Sequence, residues 1–158
     1  MKKLFLVIAS AFITALALTS CETDPASSKW LKYTVWTANP VGKELSDELS
    51  SPKTITGGSI SIKFSGTGYI MLYDLSTNDP EKGVNAMFAG KVSSDLFPDY
   101  SYPDLYFPFQ YKNNDQEEMM TSIGIISSDL KTIHFDTFTI SYMNPSGAVI
   151  IKDLDFTR

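Results

Sequence analysis

Short runs of alternating apolar and polar residues follow one another along most of the chain, separated by clusters of glycine, proline, asparagine, aspartate and serine. In residues 59–64, for example, Ile60, Ile62 and Phe64 alternate with polar neighbours, which is typical of a strand with one buried face. The runs are rich in β-branched and aromatic residues, which favour strands. The pattern predicts eight strands, at 30–37, 59–64, 69–75, 86–92, 105–111, 119–126, 132–142 and 148–156.

Two of the connections between these runs have the composition of tight turns. Residues 65–68, Ser-Gly-Thr-Gly, supply two glycines and predict a hairpin over 59–75. Residues 144–147, Asn-Pro-Ser-Gly, suit a type I turn and predict a C-terminal hairpin.

The alternation is interrupted at two places. Within 132–142 the apolar parity changes at Asp136 and Thr137, so a β-bulge is expected there. Residues 41–49 are apolar only at every fourth position, and this spacing fits a short helix or a polar insertion loop about equally well. The apolar positions are Val41, Leu45 and Leu49.

So many antiparallel strands must hide the edges of their sheet, and a closed barrel or a two-sheet sandwich does so. We therefore expect an all-β, single antiparallel domain of about eight strands over residues 30–158. The expected architecture is a β-barrel or, alternatively, a β-sandwich.

The N-terminus has a different pattern. Lys2 and Lys3 precede an apolar run over residues 4–18, which is the layout of a secretory signal. The run is shorter than the about 20 apolar residues that a stable transmembrane helix needs. Residues 1–20 are therefore predicted to be an export signal.

The residues that end this run, Leu-Thr-Ser-Cys at 18–21, resemble the lipobox of bacterial lipoprotein precursors. The resemblance implies that residues 1–20 are removed and that Cys21 becomes a lipidated N-terminus. Two or more acyl chains anchor a protein stably, so the chain would stay on a membrane. The alternative is an ordinary secretory signal followed by a coincidental cysteine.

The residues after the cysteine are small and polar, and residues 21–29 are predicted to be a lipidated flexible tether. Glu22 follows the cysteine where an aspartate is linked to inner-membrane retention. The resemblance thus implies the outer membrane, with the domain on its periplasmic face or at the cell surface.

Charge and cysteine content narrow the possible partners. Residues 1–20 hold two of the 13 basic side chains and none of the 18 acidic ones, so the remaining 138 residues carry 11 basic side chains and a net charge of −7. This charge argues against nucleic acid and against electrostatic docking on anionic lipid. The single cysteine excludes an internal disulfide.

An early tryptophan, Trp30, and the C-terminal hairpin over 138–158 resemble the calycin-like, lipocalin-related barrels of Gram-negative lipoproteins. The resemblance implies the barrel rather than the sandwich.

Aromatic residues concentrate in 97–111, where seven of them are interleaved with prolines. The alternating set on the expected core face is Leu105, Phe107, Phe109 and Tyr111. Tyrosines outside this set could stack on a sugar or anchor a protein partner, because a phenol combines an apolar face with a hydroxyl. The candidate contact residues are Tyr100, Tyr102 and Tyr106; the alternative is a proline-stiffened loop that packs on its own barrel.

The chemistry-bearing residues predict no catalytic, metal or cofactor site. His134 is the only histidine and has no nucleophile signature beside it, so it is interpreted as a structural strand residue. Asp153 and Asp155 share one face of the last predicted strand, where a solvated face is favoured over a glycosidase-like pair. The turn carboxylates Asp95, Asp99 and Asp104 lack the spacing of a calcium loop.

The sequence thus favours a non-enzymatic, membrane-anchored binding module. Its expected partner is a small apolar or glycan ligand or an envelope protein. A structural or accessory subunit of an outer-membrane complex is the second hypothesis, and a hydrolase is the third. An open apolar interior would favour the ligand carrier, and an interior filled by Phe and Ile would favour the interaction module.

Overall fold

The computed structural model describes residues 24–47, 51–79, 84–113, 116–143 and 146–158. The predicted signal and Cys21 lie outside these ranges. A 3-10 helix (Ser28–Leu31) precedes the strands β1 (Val35–Ala38), β2 (Glu44–Asp47), β3 (Lys53–Phe64), β4 (Tyr69–Asp79), β5 (Val84–Ser94), β6 (Asp99–Ser101), β7 (Asp104–Asn113), β8 (Gln116–Ile126), β9 (Thr132–Met143) and β10 (Ser146–Thr157). In the described ranges, none of the helices has the length and apolar character needed to cross a membrane.

The strands follow one another around the sheet in nearly cyclic order. The order is β5-β4-β3-β1-β10-β9-β8-β7-β6, with β2 also pairing with β3 and β10. The first and last strands are therefore neighbours, and the break in the path falls between the consecutive strands β5 and β6. An up-and-down order of this kind curls the sheet around one core. The predicted all-β antiparallel domain is confirmed, and its architecture is the β-barrel rather than the β-sandwich.

The strands β1 and β2 are two halves of one interrupted strand. Both lie between β3 and β10, and both pair with β3 in a single register. Pairing resumes after the break where Gly42 N donates a hydrogen bond to the carbonyl of Ile55 at 2.9 Å. Leu45, which the four-residue spacing assigned to a helix or a loop, is 2% exposed in β2. That interpretation was wrong, because the barrel wall needs a strand here.

Folded structure is present earlier in the described part of the chain than predicted. Ser27 N donates a hydrogen bond to the carbonyl of Asp24 at 3.0 Å, and the Ser27 side chain caps the 3-10 helix. Trp30 and Leu31 in this helix are buried, at 7% and 0% exposure. Residues 24–29 are therefore folded against the domain instead of forming a flexible tether, and the first strand starts only at Val35.

The two predicted hairpins are present. Phe64 pairs with Tyr69, and Ser65 N donates a hydrogen bond to the carbonyl of Gly68 at 2.8 Å. The strands β9 and β10 remain paired as far as Met143, although the turn residues at 144 and 145 lie outside the described ranges.

The apolar side chains of β9 change parity at Asp136 and Thr137, as the sequence indicates. The predicted β-bulge is nevertheless wrong, because β9 has no extra residue relative to β10. The pairs on either side of Asp136 share one register. Both strands instead turn two consecutive side chains outward at the same place, Asp136 and Thr137 on β9, Lys152 and Asp153 on β10. Asp153 takes a φ of 56° there. Because both strands change parity together, no residue is left unmatched.

Aromatic rings fill the middle of the barrel. The centroid of the Phe135 ring lies 5.9 Å from Phe107, 4.9 Å from Phe138 and 5.5 Å from Phe156. Phe64 joins this cluster from the N-terminal half, 6.1 Å from Phe107. All five rings are at most 1% exposed. The described interior is thus occupied by the protein's own side chains.

The predicted inward face of β7 is confirmed where it is described. Leu105 and Phe107 are fully buried. The side chains of Phe109 and Tyr111 lie outside the described residues.

Candidate functional site

The three tyrosines predicted as a contact surface do not share one face of the barrel. Tyr100 pairs with the buried Leu105 across β6 and β7, so it is directed towards the core. Tyr106 belongs to the outward set of β7. Tyr102 lies in the turn between the two strands and is 37% exposed. The predicted patch is therefore divided among an inward, a turn and an outward position.

Tyr100 holds the N-terminal segment against the barrel. Its hydroxyl accepts a hydrogen bond from Nε1 of Trp30 at 3.0 Å and donates one to the carbonyl of Pro25. The Tyr100 and Trp30 rings also meet edge to face, with centroids 6.2 Å apart. Burial raises the pKa of Tyr100. For Tyr100, these contacts agree with the alternative prediction, in which the loop packs on its own barrel. They also occupy the hydroxyl that a ligand would need.

On the outer wall, Tyr106 lies beside two exposed isoleucines. It pairs with Ile123 of β8, and Ile125 is the next outward position of that strand. Ile123 and Ile125 are 46% and 45% exposed. The Tyr106 hydroxyl donates a hydrogen bond to Asp104 at 3.0 Å, and this bond raises the pKa of Tyr106. Tyr106, Ile123 and Ile125 form what we call the side patch, an apolar surface that continues across two strands.

Charged groups border the side patch. His134 pairs with Ile125 across β8 and β9, and with Asp155 across β9 and β10. Its Nδ1 lies 2.7 Å from the Asp155 carboxylate and its Nε2 lies 3.1 Å from that of Asp136. The hydrogen bond to Asp155, followed by that to Asp136, raises the pKa of His134 against a partial burial that lowers it. With Asp104 on the opposite side, the border is mainly acidic.

The carboxylates considered as a hydrolytic pair have separate cationic partners. Asp153 forms a salt bridge with Lys43, which lowers the pKa of Asp153, and Asp155 contacts His134. Their side chains are 74% and 61% exposed. A general acid of a glycosidase needs a raised pKa instead. Among the described residues, no group of three or more histidine, cysteine or acidic side chains is placed to hold a metal ion.

A second candidate site lies at one end of the barrel. The 3-10 helix covers this end, which we call the capped end. There a cavity of about 300 Å³ opens beside the turn at 65–68 and the end of β5. Its lining includes Tyr33, Lys63, Phe64, Thr67, Tyr69 and Asp95. These side chains come from three separate segments of the chain, so their position in strands and turns did not predict that they would line one cavity.

Tyr33 forms the exposed wall of this cavity. It is 82% exposed, and its φ of 62° is in the left-handed region. A bulky residue adopts that conformation only at a cost. The ring lies across Gly66, where an added Cβ would collide with the Tyr33 hydroxyl. No local sequence signal marks a positive φ at a tyrosine, and Tyr33 fell inside the first predicted strand.

The predicted lipidation site, Cys21, lies outside the described residues. Comparison of the chain with known protein families, with curated proteins and with solved structures finds no match.

Proposed function

We propose that the chain is a lipoprotein of the bacterial cell envelope, anchored through Cys21, whose β-barrel is a non-enzymatic binding module for a protein partner. The binding surface would be the side patch. The observation that carries the proposal is a filled barrel interior combined with exposed apolar side chains on the outer wall.

The filled interior argues against an internal ligand. Barrels that carry small apolar molecules keep a cavity inside the strands. Here the rings of Phe64, Phe107 and Phe135 occupy that space. A relationship to the calycin-like barrels is supported only by the shared up-and-down strand order, and this chain would use its outside instead of its inside.

The side patch has the layout of a small protein contact. Apolar side chains occupy its centre and polar groups its border, as at protein interfaces. The carboxylates of Asp104, Asp136 and Asp155 would favour a partner whose own apolar contact is bordered by lysine or arginine. The net charge of −7 after residue 20 acts in the same direction and disfavours nucleic acid.

The lipobox-like residues 18–21 support the anchor, and the folded N-terminal segment indicates which end of the barrel the lipid would be near. Asp24 is the third residue after Cys21, so the two are at most about 11 Å apart along an extended chain. Because Pro25 is bound to Tyr100, lipid on Cys21 would hold the capped end near the membrane. Glu22 favours the outer membrane, and the side wall would stay open to a partner.

The anchor is tested with Cys21→Ser in the full chain. We expect the wild-type protein to fractionate with membranes and to incorporate labelled palmitate. The variant should lose both properties, because no acyl chain can be attached to serine through a thioether. Equal membrane association and labelling of the variant would contradict lipidation at this residue.

The side patch is tested by placing a photo-crosslinking amino acid at Ile123 in living cells. We expect a discrete crosslinked protein from this position. The control is Leu72, an outward residue of β4 whose exposure of 48% is similar. The same crosslinked species from both positions, or none from Ile123, would remove the side patch as the binding surface.

The second candidate is a structural subunit of an outer-membrane complex that uses the same patch. A partner that stays bound to the full chain through purification in detergent would identify the subunit, whereas one recovered only after crosslinking would identify the binding module.

A further inference from the structure

We infer that the cavity at the capped end is a binding site for a neutral saccharide. It is separate from the side patch, which lies on the strands β7 and β8. Its volume of about 300 Å³ is at the lower end of ligand pockets, which run from roughly 300 to 1,000 Å³. That size suits one or two sugar rings rather than a long chain.

The first requirement of a saccharide site is an accessible aromatic face, and Tyr33 provides one. Its ring is 82% exposed, so it contributes little to the core. The left-handed backbone places it over Gly66, beside the turn of β3 and β4. An exposed aromatic side chain kept in a costly conformation is expected where the strain serves a function. The carbon-bound hydrogens of a sugar ring would pack on its face.

The second requirement is a set of groups that bond to hydroxyls, and the rim provides both kinds. Lys63 can only donate and the carboxylate of Asp95 can only accept. Both line the cavity, and in the described part of the chain neither forms an ion pair. A sugar hydroxyl both accepts and donates, so one ligand can satisfy the ammonium and the carboxylate together. Thr67 and Ser93 add hydroxyls to the same lining.

Other classes of ligand fit these groups less well. An anion would be repelled by Asp95 and by the negative charge of the chain, and a cation would be repelled by Lys63. A wholly apolar ligand would exclude water from both charges without replacing it, which is costly. A neutral polyol with one apolar face avoids all three penalties.

The saccharide could come from a soluble glycan or from the headgroup of a glycolipid. The second source rests on the proposed function, because lipid on Cys21 would hold the capped end close to the membrane surface. Both sources present the same hydroxyls to Tyr33, Lys63 and Asp95, and the experiment separates them.

Binding is measured with the full-length Cys21→Ser chain, by saturation-transfer NMR against maltotriose and chitotriose and by flotation with phosphatidylcholine vesicles that contain or lack monogalactosyldiacylglycerol. We expect at least one soluble probe to bind, or the glycolipid vesicles alone to be bound. The first result identifies a free glycan, and the second identifies a headgroup; both support the site. Because the variant cannot be acylated, failure of the anchor would not affect either measurement.

Three variants locate the binding. Tyr33→Gly removes the platform and relieves the positive φ, so we expect at least about a tenfold loss of affinity with an unchanged or higher midpoint of urea unfolding. Lys63→Met and Asp95→Asn should weaken binding as well. Tyr102→Ala removes an exposed tyrosine outside the cavity and should leave affinity unchanged. Binding that survives Tyr33→Gly, equal binding to both kinds of vesicle, or no binding to any probe would overturn the saccharide site.

Discussion

His134 shows how a single side chain connects neighbouring strands of the outer wall. Both ring nitrogens face carboxylates, that of Asp155 at 2.7 Å and that of Asp136 at 3.1 Å. An imidazolium can donate to both, whereas the neutral ring can donate to only one. The charged form is therefore favoured in the folded protein, and the pKa of His134 is raised.

This coupling predicts a pH-dependent stability. A raised pKa in the folded state stabilises the protein fully below the unfolded value of about 6.5. The contribution disappears as the pH rises through the folded pKa. We expect His134→Gln to lower the free energy of unfolding by about 0.5 kcal/mol at pH 5, the size usual for exposed pairs, and by much less at pH 9. Urea unfolding of both proteins at the two pH values measures the difference.

The comparison with wild type isolates the histidine, because Lys43, Asp136, Asp153 and Asp155 are present in both proteins. An equal loss at both pH values would show that the side chain acts through packing and not through its charge.

At the scale of the element, β3 combines pairing with three other strands and a break in its register. It pairs with β4 on one side and with both β1 and β2 on the other. Its register against β4 shifts between Ile55 and Gly57. Gly58 takes a φ of 104° next to this shift, and a Cβ there would collide with the carbonyl oxygen of Asp74. The irregularity therefore depends on a residue without a side chain.

The strand irregularity predicts a position-specific effect of alanine. Gly58→Ala should lower the free energy of unfolding by about 2 kcal/mol or more, since it combines a strained φ with a backbone collision. Gly57→Ala is the matched control, because its Cβ would lie 3.9 Å from the Cβ of Ser76, an ordinary contact. We expect a change within about 0.5 kcal/mol there. Equal effects in thermal or urea unfolding would contradict the assigned geometry.

At the scale of the molecule, the core joins the two ends of the chain. The sheet links β1 to β10, and the aromatic cluster joins Phe64 of β3 to Phe107 of β7. The inward faces of the N-terminal strands β3–β5 and of the C-terminal strands β6–β10 are buried only when the two groups pack against each other. The barrel should therefore behave as one cooperative unit, as is usual for domains of fewer than about 150 residues.

Cooperativity is tested with two probes on the full chain. The two tryptophans, Trp30 and Trp36, report on the capped end and the N-terminal half. Far-ultraviolet circular dichroism reports on all strands. We expect the fluorescence and dichroism curves in urea to coincide. A fluorescence transition at clearly lower urea would mean that the N-terminal half unfolds separately.

Local patterning determined the fold class of this protein and most of its strands. Period-two alternation with turn residues between the runs identifies strands such as β3 and β7, because a strand at a barrel wall buries every second side chain. The same rule located the core residues Leu105 and Phe107. The short strand β6 and the lone apolar Leu45 of β2 were missed, because runs of three or four residues carry too little alternation to be distinguished from loops.

Only the tertiary structure decided which faces remain accessible. In β8, alternation of apolar residues would place Ile123 and Ile125 inside, yet Ser122 and Gly124 take the inward positions. A Cβ on Gly124 would lie 2.6 Å from Ile133 and 2.7 Å from Phe135, so the neighbouring strand already fills that space. Packing volume is a property of the whole core, and no window of sequence contains it. The side patch and the capped-end cavity both follow from such long-range contacts.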